Sequence, residues 1–284
     1  MKIFFIFLAL AILGTVQTIS AQSKNDTLVL RNNEWGAANR AGFHELNIPS
    51  SGSLLQGFIY TANGARKHGL LVLLHGFPGN ERNIDLAQIA RSRGWDVVYF
   101  DYRGSWGSQG KFSFKNCVDD AVNVIAYCKH NAGMFNIDTT NIVLFGHSMG
   151  GFVCLKALSY LPGVKKGFAL STWDIGGDVK MFKGNITKLE ANEGKYFVLN
   201  ATAQELYQPV LDDPAYFNLE SMAPRLAGKQ IIMLDEHHQN KVIADALSAA
   251  NKASFDYEVW DTDHGFSNTR VSMIKKVLAF ISEP

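Results

Sequence analysis

The segment Asn141-Ile142-Val143-Leu144-Phe145-Gly146-His147-Ser148-Met149-Gly150-Gly151 constrains this chain more than any other. An apolar, β-prone run ends in Gly-x-Ser-x-Gly and passes directly into a helix-periodic stretch, the strand, tight turn and helix of a nucleophile elbow. The chemistry explains the residue types. A serine on such a turn has a strained backbone, so Gly146 and Gly150 remove Cβ atoms that would strike neighbouring main chain. The turn lifts the Ser148 hydroxyl out of the sheet and sets it at a helix N-terminus. There the N–H of Met149 points at the spot where an oxyanion would develop.

A serine hydroxyl needs a base within hydrogen-bond reach to act as a nucleophile. His264, in Asp263-His264-Gly265-Phe266 just after the last expected strand, is the candidate. Parallel strands bring their C-terminal ends to one side of a sheet, so residues remote in sequence meet there. A second oxyanion donor is expected from His75-Gly76-Phe77, where Gly76 lets the backbone turn and present the N–H of Phe77. The acid that orients the base should follow the penultimate strand, which ends Leu234-Asp235-Glu236-His237-His238-Gln239-Asn240. Asp235 is the first choice, with Glu236 and Asp174 as alternatives. This chemistry requires no cofactor and no metal. Adjacent His237 and His238 on an extended segment point apart, which argues against a metal site there.

The strand and helix pattern extends on both sides of the elbow. Phe43 to Ile48 and Leu54 to Thr61 read as a hairpin joined by Pro49-Ser50-Ser51-Gly52-Ser53. Buried strands are expected at Gly69 to Leu74, Asp96 to Phe100, Val164 to Ser171 and Gln230 to Leu234, with a last one at Phe255 to Trp260. Helical periodicity covers Glu81 to Arg93, Ser113 to His130, Met149 to Tyr160, Val242 to Ala253 and Val271 to Ile281. Eight strands alternating with helices make a mainly parallel sheet covered on both faces, an α/β fold. Between the strands at 164–171 and 230–234 the alternation fails. More than a plain crossover is present, so residues of about 175–228 are expected to form a small helical insertion, either a cap over the site or a decorated crossover packing its own aromatics.

Composition narrows the classes of partner. Net charge is +1, with acidic and basic residues interspersed and 47% hydrophobic composition over 284 residues. That excludes recruitment of nucleic acid by bulk charge. Met1-Lys2, the apolar run Ile3 to Val16 and the small polar residues up to Ala21 read as a secretory signal over residues 1–21, leaving 22–284 as a single domain that is secreted or periplasmic. The apolar run is short for a transmembrane span, and no membrane anchor is expected after cleavage. Cys117 and Cys128 fall on one expected helix, about 16 Å apart along its axis, beyond disulfide reach. With Cys154 they read as small buried hydrophobes.

Taken together, His75-Gly76-Phe77-Pro78-Gly79-Asn80, the loop Arg103-Gly104-Ser105-Trp106-Gly107-Ser108-Gln109-Gly110-Lys111-Phe112, Gly146-His147-Ser148-Met149-Gly150-Gly151 and Asp263-His264-Gly265-Phe266 resemble the α/β-hydrolase superfamily. Within it they look like the cinnamoyl/feruloyl esterases and the prolyl-oligopeptidase-like hydrolases. The resemblance implies an α/β-hydrolase fold in which Ser148 is nucleophile, His264 base, and Phe77 and Met149 oxyanion donors. The usual Gly-x-x-Asp-type segment beyond the penultimate strand is replaced here by His237-His238-Gln239-Asn240. The expected activity is cleavage of a small-molecule carboxylic ester, and the aromatics of the insertion with Trp106 and Trp173 are compatible with an aryl or acyl pocket. The competing readings are a serine peptidase or amidase and a binding protein on a hydrolase fold.

Overall fold

The computed structural model describes residues 39–193, 196–251 and 254–283, and the signal reading of residues 1–21 lies outside them. The chain enters through β1 (Gly42–Ser50) and β2 (Ser53–Thr61), an antiparallel hairpin closed at Ser50 and Ser53. Its turn is tighter than the Pro49 to Ser53 stretch suggested, because Ser51 and Gly52 both take positive φ (47° and 81°). Two such residues give a turn that matches strand twist and lets pairing run up to it.

Next come β3 (His68–Leu74), α1 (Ile84–Ser92), β4 (Trp95–Phe100), α2 (Phe114–His130), the short α3 (Ala132–Phe135), β5 (Ile137–His147), α4 (Met149–Tyr160) and β6 (Lys166–Leu170). Helix α1 begins later than the Glu81 start its periodicity suggested. Asn83 sits in the left-handed region (φ 54°) with its N–H on the Glu81 carboxylate, which holds the lead-in out of helix. In α2 the Ser113 hydroxyl accepts the Asn116 N–H and supplies the N-cap.

After β6 the chain leaves the sheet for α5 (Ile175–Met181), α6 (Ile186–Glu193), α7 (Ala203–Asp212), α8 (Pro214–Phe217) and a 3₁₀ segment, Glu220–Leu226. It returns through β7 (Gln230–Asp235), a 3₁₀ turn at His238–Asn240, α9 (Lys241–Ala250), β8 (Phe255–Val259) and α10 (Arg270–Ser282). The eight strands lie in the order β1-β2-β4-β3-β5-β6-β7-β8. Pairing is parallel from β4 through β8, and β2 joins antiparallel to β4. The order of strands reverses beside β3, so β5 lies near the switch point where helices diverge to opposite faces and leave a crevice at the strand ends.

The central strands β3, β4 and β6 are buried almost end to end and β5 from Ile142 onward, as the uninterrupted apolar runs predicted. All three cysteines are buried and free. The insertion is pinned to the loop after β4, where Trp106 donates its N–H to Val198, Asn200 its N–H to Gly104 and Lys111 pairs with Glu205, and to the start of α2, where Lys115 pairs with Asp213.

Candidate active site

Ser148 stands between β5 and α4 with φ 59° and ψ −120°, a conformation almost closed to a residue with a side chain. Its neighbours make that possible. A Cβ on Gly146 would land on the Gly150 carbonyl, and one on Gly150 would land on the carbonyl of Leu74 in β3. The strain is held by sheet hydrogen bonds: Ser148 donates its N–H to Leu170 at 2.8 Å and its carbonyl accepts the Trp173 N–H at 3.0 Å. Thus β6 clamps the turn from one side while β3 abuts it from the other.

The strand β3 delivers the second backbone element. Gly76 passes so close to Ser148 that an added Cβ would lie 3.1 Å from the serine's own Cβ. This brings the Phe77 main chain beside the hydroxyl. Among the described residues neither the Phe77 nor the Met149 N–H has a backbone acceptor outside regular secondary structure. The Phe77 ring stands against Trp173 (5.6 Å) and Tyr196 (4.6 Å) and so walls the site on the side of the insertion. Behind the turn, buried His75 donates from Nδ1 to the Gly76 carbonyl. Burial holds this imidazole down at about 4, so it is neutral and fixed in that tautomer.

His264 occupies the loop after β8. Three contacts place the loop: the buried Phe266 with positive φ (58°), the Asp263 carboxylate accepting the Ser267 N–H, and Arg270 reaching the Gly265 carbonyl. Arg270 is itself locked to Asp85 by two 2.6 Å bonds. Ser148, His264 and Phe77 line one cavity of about 350 Å³, with Trp173, Asn240 and Asp174 among its other walls.

The carboxylate that meets His264 is Glu236, with Oε1 2.7 Å from Nδ1. The first choice made from sequence, Asp235, is therefore corrected. Asp235 is the last residue of β7 and Glu236 the next, and successive side chains at a strand end diverge, so only one can reach the base. Asp235 turns inward, fully buried, and accepts a bond from Asn240, whose amide also donates to Thr172. Burial raises the Asp235 carboxyl to about 6. Asp174, the other alternative, caps α5 by accepting the Gly177 N–H and lines the cavity wall without meeting His264.

Glu236 differs from its neighbour in charge state as well as direction. Burial alone would raise its carboxyl, but hydrogen bonds from His264 and Ser171 outweigh burial and hold it at about 2. The Glu236 contact in turn raises His264 above the ordinary histidine value, against the opposing effect of burial. Glu236 is thus held as an anion with its Oε1 on His264 Nδ1. Such an arrangement fixes one imidazole tautomer and stabilises its protonated form.

Two residues that complete this geometry were not singled out from the sequence. Ser171, held at φ 45° beyond β6, donates its hydroxyl to Glu236 Oε2. His147 bonds through Nε2 to the His264 carbonyl at 2.8 Å, its ring 4.9 Å from the His264 ring. The signal for both was positional: each is a polar residue at the C-terminal end of an otherwise apolar strand. Among the described residues no group of three His, Cys, Asp or Glu side chains is arranged to hold a metal ion.

A mainly parallel sheet with helices on both faces and a strained serine at the strand-to-helix turn defines a hydrolase of the α/β class. The sequence profile of the Alpha/beta hydrolase family matches residues 71–269, well over half of the chain, and the protein belongs to that family. It is 32% identical over 110 residues to the uncharacterized protein YfhR of Salmonella typhimurium, a match covering 37% of this chain and 36% of that protein. This chain therefore spans about a third of the curated relative. The Pyrococcus furiosus esterase Pf2001 superposes with a TM-score of 0.63 at 17% identity, over 88% of this chain and 98% of that one. The Pyrococcus horikoshii acylaminoacyl peptidase gives 0.65 at 16% identity, over 84% of this chain and 41% of its own. At such identities the likeness is one of fold.

Proposed function

We propose that this hydrolase cleaves carboxylic esters through Ser148, His264 and Glu236, with Phe77 and Met149 as oxyanion donors. The observation that supports the reading is the 2.7 Å contact of Glu236 with His264 Nδ1, because it occupies one ring nitrogen and leaves the other to take the serine proton, on a residue that lines the same cavity as Ser148. Ser148 Oγ attacks the ester carbonyl and its proton passes to His264 Nε2. The carbonyl oxygen becomes an oxyanion that accepts the two backbone N–H groups. Collapse expels the alcohol, which takes the proton from His264, and leaves an acyl-serine. Water repeats the sequence, giving the carboxylic acid and free serine. Ionised Glu236 stabilises the imidazolium formed at each stage.

The esterase fold likeness supports ester substrates, and the peptidase likeness keeps amide cleavage as the second reading. Hydrolysis of matched 4-nitrophenyl esters and aminoacyl 4-nitroanilides tests both. Ester turnover lost by on the order of 10⁵ or more in Ser148→Ala supports the proposal. Anilide cleavage exceeding ester cleavage moves the reading to a peptidase, and Ser148-independent turnover overturns it. We also propose secretion after cleavage near Ala21, tested by the N-terminal sequence of the exported protein.

A further inference from the structure

The loop from His75 to Gly79 carries the Phe77 N–H, and it is anchored on both sides of that residue. On the near side His75 donates from Nδ1 at 2.7 Å to the Gly76 carbonyl, the other half of the peptide unit to which the Phe77 N–H belongs. On the far side the anchor comes from another loop. Trp106, in the glycine-rich stretch after β4, donates its indole N–H to the Pro78 carbonyl at 2.7 Å, 28 residues away along the chain. Gly79 gives the indole its room. A Cβ there would stand 2.5 Å from Trp106 Nε1 and 2.9 Å from the His75 ring.

Trp106 holds this place against its own backbone preference. Its φ is 48°, in the left-handed region that a bulky side chain avoids. Such strain persists where the surroundings over-determine it, and it gathers at functional sites. Here the surroundings are the insertion. The Trp106 N–H is bonded to the Val198 carbonyl at 3.0 Å, Ser105 bridges to Leu199, and the Asn200 N–H is bonded to the Gly104 carbonyl at 2.7 Å. The Arg82 guanidinium lies over the indole, 4.9 Å from the ring centre. Main chain and cation together fix the ring, and its single polar atom meets the loop of Phe77.

Resting on the esterase reading above, we infer that Trp106 is a positioning residue for the oxyanion donor: its indole N–H holds the Pro78 carbonyl, and with it the adjoining Phe77 N–H, in the place the insertion dictates. It touches no reacting atom. A donor lowers the barrier only if it is aimed before the charge develops, and a displacement of about 1 Å can cost on the order of 10² in rate. Without the indole N–H the loop loses its anchor beyond Phe77. The ground-state ester depends less on that donor, so the loss falls equally on kcat and kcat/KM.

The test is kcat and KM for 4-nitrophenyl butanoate in Trp106→Phe and Trp106→His. Imidazole Nε2 is separated from Cγ by one ring atom, as indole Nε1 is, so histidine returns the donor on a smaller and less apolar ring. The inference expects a roughly ten- to hundredfold fall in kcat at near-constant KM for Trp106→Phe, and a kcat several-fold higher for Trp106→His. Packing alone predicts the opposite ranking, since phenylalanine replaces more of the apolar ring. Comparable loss in both variants, greater loss in Trp106→His, a loss confined to KM, or parental kcat in Trp106→Phe overturns the inference. Should Trp106→Phe not fold, 3-benzothienylalanine at position 106 keeps the ring outline and exchanges N–H for sulfur, with the same fall expected and parental kcat overturning. If no ester is hydrolysed through Ser148, the functional reading fails separately. Fluorine NMR of protein carrying 4-fluorophenylalanine at position 77 then reads the loop directly. A shifted or second resonance on loss of the Trp106 N–H supports the anchor, and an unchanged line overturns it.

Discussion

The C-terminal edge of the sheet and the insertion between β6 and β7 both face the same cavity, yet they are built on opposite principles. At the edge, positions are set by backbone against backbone: Gly150 lies against the Leu74 carbonyl, Gly76 against Ser148, and the strained serine hangs on Leu170 and Trp173. In the insertion, among the described residues, only the segment 198–200 is tied to the rest by backbone bonds, to the loop after β4, and the helices of four to ten residues are held by side chains, chiefly the ring contacts of Phe114 with Trp173, Tyr207 and Phe217. The lesson is a division of labour. The edge holds positions where a methyl group cannot be added, and the insertion holds ones where side chains can be exchanged.

The sharpest way to break this comparison is Gly150→Ala. No rotamer relieves a Cβ pressed on the Leu74 main chain, so activity should vanish, with a loss of stability of about 3 kcal/mol or more read by thermal unfolding. An active, stable Gly150→Ala protein would show that the edge is not backbone-limited.

Next in size is Glu236→Gln, expected to cost on the order of 10⁴ in kcat by removing the anion that fixes the His264 tautomer. Asp235→Asn, one residue away, should change kcat by less than about tenfold. The reverse ranking would restore Asp235 as the acid. Ser171→Ala should fall between them, roughly tenfold or somewhat more, for loss of one hydrogen bond to a charged group.

The pH dependence follows from the same contact. His264 acts as base only when neutral, and Glu236 raises its proton affinity. The acid limb of kcat/KM should therefore have its midpoint above the ordinary histidine value near 6.5, and should move to lower pH in Glu236→Gln. For stability the two groups have opposite signs. The raised His264 stabilises the fold at low pH and loses that contribution as pH climbs through its folded value. The depressed Glu236 stabilises above the usual carboxylate range and loses its contribution as pH falls toward about 2. The smallest expected effect lies in the insertion. Tyr207→Phe removes a hydroxyl 3.4 Å from that of Tyr196 and should shift unfolding by about 1 kcal/mol or less.

Much of the catalytic edge is legible in the sequence because its rules are local. A glycine two residues either side of Ser148 has one physical reading, steric relief at a strained turn, and apolar runs bounded by turns have one common solution as strands. The alternation of strands and helices then forces their C-terminal ends together, which is why the sequence by itself puts Ser148, His264 and Phe77 on one edge. The insertion was less legible: its boundaries follow from excess length, but its internal packing depends on which aromatic meets which.

Sequence alone determined the succession of the sheet strands with their flanking helices and the elbow at Ser148, since each rests on backbone sterics or periodicity within a few residues. Tertiary structure decided the rest. Whether Asp235 or Glu236 meets His264 depends on where β7 ends and which side its last residue faces, a parity set by pairing with β6 and β8. Whether the insertion closes on itself or leaves a cavity beside α5 depends on residues drawn from α5, α7, α8 and α9, separated by nearly seventy residues. No local pattern records a space whose walls come from so far apart.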